Sequence, residues 1–188
     1  MPARLVYDRG MLLSPSLAFV LTFALTGAPA GPATVQPAPP TGLVFPYEDA
    51  GACPTDGCRY GRWVAVRSLT VHRTREAGAA AVFRVGAGEA VDAVTGVVVT
   101  LRPGRARAIA PIEVEGVRVA TGEHVLLLHS AGKGAYKVSA RGAVVDTALD
   151  VAGRDLAVLS EPRTVWWVQV RNRRGEVGWT SQPEAFGG

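Results

Sequence analysis

Few residues in this chain have types and spacings suited to chemistry. Cys53 and Cys58 are its only cysteines. A structural zinc takes about four ligands, and no second Cys pair or nearby His completes such a set. A redox pair usually has C-x-x-C spacing, which Cys53-Pro54-Thr55-Asp56-Gly57-Cys58 departs from. With a turn-forming Pro and Asp-Gly between them in an exported chain, the two read as a short structural disulfide. His124 and His129 stand five apart in one expected strand, and that odd offset sends them to opposite faces. His129-Ser130 is adjacency rather than a triad, and the sequence has no Gly-x-Ser-x-Gly elbow. Asp146, Asp150 and Asp155 miss the calcium-loop spacing. Gly86-x-Gly88 and Gly132-Lys133-Gly134 lack the further residues of a dinucleotide or phosphate loop. The expectation is a non-enzymatic protein with no cofactor and no metal. A small hydrolase using His124 or His129 with distant carboxylates is the remaining catalytic alternative.

The aromatic residues say more. Val165 to Thr180 reads as two strands around the polar turn Arg173-Arg174-Gly175, since Val, Trp and Thr suit a pleated, half-buried surface. Strand side chains alternate between faces. Trp166, Val168 and Val170 therefore form a core face, while Trp167, Gln169 and Arg171 share the other. Among polar neighbours, Trp167 suits a contact surface, with burial in a core as the alternative. Tyr60, Trp63, Tyr136 and Trp179 also lie beside turns, and such rings are over-used at contact surfaces.

Short strands separated by Gly/Pro turns must position these residues. Tyr60–Val66, Leu69–His72, Ala81–Val85, Ala90–Val94, Val97–Leu101 beyond a Thr95-Gly96 turn, and Ala106–Ile112 form one series. Gly122–His129, Ala135–Ala140 and the Trp hairpin form a second. Residues 143–162 fit either a short helix or another strand pair. Strands at this spacing predict an all-β sandwich or barrel. The expected organisation is a signal peptide at 1–30, a Pro-rich linker at 31–46 and a disulfide-closed loop at 47–58. Two β units at 59–115 and 116–183 follow, then a tail at 184–188.

The signal peptide is read from Arg4 and Arg9, the apolar run Leu17–Leu25 and the small-residue site Ala28-Pro29-Ala30. That run is shorter than the ~20 apolar residues of a membrane span, so no stable span is expected after cleavage. Met11 offers a second start, which would leave the run without its arginines. Removing the first thirty residues takes away Arg4, Arg9 and Asp8 and leaves a net charge of +3 from the +4 of the whole chain. So mild a balance, with no block of like charge, reads as a solvated surface and not as a nucleic-acid partner.

With these residues in place, the C-terminal stretch resembles the closing strands of bacterial Src-homology-3 (SH3) type domains. Trp167, Val168, Val170, Gly175, Gly178, Trp179 and Thr180 match that family's Trp-x-x-Val strand, turn and Gly-Trp-Thr strand. Gly122-Glu123-x-Val125 and Tyr136-Lys137-Val138 look like middle strands, and Val66 to Val91 is similar to the opening strands of another copy. The resemblance implies one or two small Src-homology-3-like barrels and a binding role in the cell envelope, toward a cell-wall peptide or an envelope protein. It places the ligand contacts on the face of Trp167, Gln169 and Arg171, with Tyr136 and Trp179 near.

Overall fold

A computed structural model describes residues 42–187, apart from Ala77, 146–148 and 151–154, and gives the backbone alone at Leu149 and Asp150. The expected signal peptide and the linker as far as residue 41 lie outside the described residues. The strands are β1 (Tyr47–Ala50), β2 (Gly61–Ala65), β3 (Leu69–His72), β4 (Ala81–Val85), β5 (Ala90–Arg102), β6 (Gly104–Ala108), β7 (Ile112–Val114) and β8 (Val117–Val119). They continue as β9 (His124–Gly132), β10 (Ala135–Ala140), β11 (Ala143–Val144), β12 (Leu149–Asp150), β13 (Leu156–Ser160), β14 (Arg163–Arg171), β15 (Val177–Thr180) and β16 (Phe186–Gly187). One 3₁₀ turn, Pro183–Ala185, precedes β16. The fold is all-β, as the alternation predicts.

The first sheet hangs on β5. One edge of this 13-residue strand pairs with β2 through Ala90–Ala93 and with β1 through Val97–Thr100. Its other edge pairs with β14 from Asp92 to Arg102. The sheet order is β16-β2-β5-β14-β15-β3-β4, with β1 beside β5. The second sheet, β11-β10-β9-β6-β13 with β12 beside β10, is built from the segment between β5 and β14, which also holds the β7–β8 hairpin.

Several sequence expectations are corrected here. The division at 115/116 falls in the turn of the β7–β8 hairpin, and the Trp hairpin joins the sheet of the first unit. The two expected units are thus one sheet interrupted by another. Thr95-Gly96 is no turn but the interior of β5. A Cβ on Gly96 would run into Tyr60 Oη and Trp166 Nε1, so the glycine makes room for two rings. The 47–58 loop begins as β1, and the expected tail carries β16, whose Phe186 is only 6% exposed. Residues 143–162 supply short strands in the described part and no helix there.

Each sheet has its own core. Val71, Val85, Val91, Ala93, Val168 and Val170 fill the first, with Trp63 and Trp166 packed against it. Leu127, Val125, Val138, Leu156 and Ala106 fill the second. Val168 and Val170 are fully buried, which vindicates the core face read from the hairpin, and each such burial is worth about 1.5–3 kcal/mol. A register shift at Gln169/Val170 leaves Val94 unpaired and turns Ala93 and Val91 back toward this core. The two sheets meet where β5 and β1 face β9 and β10. There Thr100 Oγ1 donates to Leu128 O at 2.7 Å. Asp49 accepts from His129 Nε2 at 2.7 Å and pairs with Lys137 Nζ at 2.9 Å.

Candidate functional site

Strand register builds the site. Gln169 stands opposite Trp179, so Trp167, two residues back on β14, lies diagonal to Trp179 on the same face. Diagonal neighbours on a sheet are within reach of aromatic side chains. Across the next ladders Val165 faces Val99, and Val99 faces Glu48, so the row continues over three strands. This face is opposite to the one that carries Trp166 and Val168. It floors a cleft of 660 Å³ with both Trp167 and Trp179 in its lining.

The loop after β3 forms the cleft's other wall. His72 Nδ1 donates to Ala79 O at 2.8 Å and Arg73 N to Ala80 O at 2.9 Å, fixing the two ends of that loop. Arg75 from this loop lies 5.3 Å from the centre of the Trp179 ring, a cation–π contact, and pairs with Glu48 at 2.9 Å. The site thus joins two half-buried indoles, the apolar floor of Val99, Leu101 and Val165, and a guanidinium held by a carboxylate. Such a surface can stack on apolar or planar groups of a ligand while Arg75 and Glu48 offer one charge of each sign.

Of the sequence candidates, Trp167 and Trp179 come together. Gln169 adjoins them on the same face without lining the cleft. Arg171 is exposed at the far end of β14, paired with Asp92 at 3.3 Å. Tyr136 lies on β10 of the other sheet, packed against the second core, and does not line the cleft. Its hydroxyl donates to Glu161 Oε2 at 2.5 Å. Burial, followed by that carboxylate, pushes its pKa up to about 12. The division between sheets that displaced the unit boundary also displaced Tyr136. Sequence reasoning missed Arg75, Glu48 and the valine floor, because a loop and a distant strand bring them in and no local signal marks them.

A second hollow of 480 Å³ lies by the Cys53–Cys58 disulfide, bordered by Trp63, Trp166 and Phe186. Its rings are already engaged with each other. Trp63 meets Trp166 edge-on at 6.0 Å, Phe186 at 5.4 Å and Tyr60 in a stack at 6.2 Å. These aromatics serve the first core, whereas Trp167 has no ring partner among the described residues.

The histidines do not converge. His124 is exposed and His129 is 4% exposed, with its nitrogens against Asp49 Oδ2 and Ser130 O, each at 2.7 Å. Among the described residues no group of His, Cys, Asp and Glu is arranged to hold a metal ion. No helix there is long and apolar enough to cross a membrane. Compared with protein-family models, curated proteins and solved structures, the chain matches none.

Proposed function

We propose that this chain is an exported, non-catalytic binding module of the bacterial cell envelope that takes a peptidoglycan peptide or another wall component in the Trp167–Trp179 cleft. The observation that carries the reading is the shared cleft, in which two indoles on the sheet meet the Arg75–Glu48 pair. Aromatic and arginine side chains are the usual anchors of recognition surfaces. The Cys53–Cys58 disulfide is in keeping with an oxidising compartment.

The Src-homology-3 resemblance belongs to the same proposal, in revised form. Of the one or two barrels expected from the resemblance, the single form fits, as one barrel-like sheet from residue 47 to 102 and again from 163 to 187. The segment 103–162 is then an elaboration between its two longest strands. The adjacent order β2-β5-β14-β15 and the short 3₁₀ turn before β16 support this reading.

Sedimentation of the chain with isolated peptidoglycan tests the binding. Co-sedimentation that persists in added salt and falls about tenfold or more with Trp167→Ala is expected, as for an anchor residue. Binding unchanged by that substitution would sink the cleft. Binding abolished by salt would reduce the interaction to a surface field. Retention of one protein from solubilised envelope, with no affinity for the wall, would make the chain a protein-interaction module.

A further inference from the structure

The geometry points to a second binding site, for an oxyanion, at the tip of the β14–β15 hairpin. Two adjoining hollows, of 400 Å³ and 80 Å³, share Ala90, Val91, Asn172 and Arg173. Strand register supplies the charge. Arg62 on β2 faces Asp92 on β5, and Asp92 faces Arg171 on β14, so two guanidiniums flank one carboxylate in a single row. Asp92 bonds Arg171, which leaves Arg62 over. Arg84 on β4 and Arg173 in the hairpin turn join from either side of the larger hollow.

The local acids are already committed. Glu89, which also lines the larger hollow, accepts Gly86 N–H at 2.7 Å and sets one negative charge against Arg84 and Arg173 there. Glu176, just outside, accepts from Asn172 Nδ2 at 2.6 Å and Arg174 Nε at 2.9 Å. These bonds hold its carboxyl below the usual carboxylate range. Arg62, Arg84 and Arg173 thus have no acidic partner among the described residues, and all three are exposed. Guanidiniums present a planar fork of donors that matches phosphate and carboxylate oxygens. Three of them, brought together from separate strands and a turn, define a cationic seat for such a group.

The ligand chemistry is therefore an oxyanion, a phosphate or a carboxylate, and multivalent polymers of each serve as its probes. This site is independent of the Trp167 cleft, and its test uses neither peptidoglycan nor that tryptophan. Calorimetric titration of the full chain with polyphosphate and, separately, poly-L-glutamate tests it at low and moderate salt. Arg84→Gln and Arg173→Gln, both at exposed positions, are each expected to weaken binding roughly tenfold. Arg107→Gln, an exposed arginine on β6 of the other sheet, is expected to change it less than about twofold by screened charge alone. Tighter binding of polyphosphate would identify phosphate as the natural group, and tighter binding of polyglutamate a carboxylate. Equal losses with all three variants, or no binding of either polymer, would overturn the site.

Discussion

Asp49 and His129 lie 80 positions apart in sequence, yet their side chains meet at 2.7 Å and tie β1 of the first sheet to β9 of the second. Both His129 nitrogens lie 2.7 Å from an oxygen, one from Asp49 Oδ2 and the other from Ser130 O. Lys137 Nζ reaches the other oxygen of the same carboxylate at 2.9 Å. The join between the sheets is therefore polar and largely removed from water, with Asp49 at its centre. Asp49→Ala would remove the buried carboxylate that His129 and Lys137 both contact. A loss of about 3 kcal/mol is expected, the scale of a broken buried pair. Urea unfolding reads it, and a change within about 0.5 kcal/mol would refute the arrangement.

Gly96→Ala tests the close approach inside β5. The added methyl has to displace Tyr60 Oη and Trp166 Nε1, both set in the first core. Overpacking of this kind costs about 1–3 kcal/mol, read as a lower denaturation midpoint with an unchanged m-value.

Phe186→Ala tests whether the C-terminus belongs to the core. This ring is buried and lies 5.4 Å from Trp63. Its removal is expected to cost about 3–5 kcal/mol in a thermal or urea melt, far more than a free tail would.

Tyr136 gives a pH signature. Its pKa is raised to about 12 by burial and by Glu161, against an ordinary value near 10. The folded state therefore favours the neutral phenol. The associated stability is fully present below pH ~10 and is lost as pH climbs from there through ~12. Titration of tyrosinate absorbance should show a group ionising at about 12 that Tyr136→Phe removes. Its disappearance with Tyr60→Phe instead would place the late ionisation elsewhere, since burial also raises Tyr60.

What the sequence revealed follows the range of the forces involved. The Trp hairpin, its Val168/Val170 core face and the Cys53–Cys58 bond are local features, so alternation and turn chemistry sufficed to find them. Trp167 and Trp179 came within reach by hairpin register alone. Gly96 was misread because Thr-Gly is a local turn signal, whereas its reason for being there is tertiary. Arg75 and Glu48 had no signal at all, as the first arrives on the loop after β3 and the second by pairing with Val99. The interrupted sheet was hidden for the same reason. Nothing in β5 announces that its partner lies beyond Arg102 by about 60 residues.

That interruption sets an order of events during synthesis. Arg102 and Arg163 end up as neighbours, but the ribosome makes them roughly 3–12 s apart at ordinary elongation rates. Through that interval β5 has an unfilled edge, with Val97, Val98 and Val99 on it, a ready template for another nascent chain. β1 and β2 emerge earlier and can occupy the opposite edge at once. The antiparallel β6, β9 and β10 are made next, before β14 is available to fill that edge. The strand on which the first sheet depends thus waits for its partner until the inserted sheet has been made.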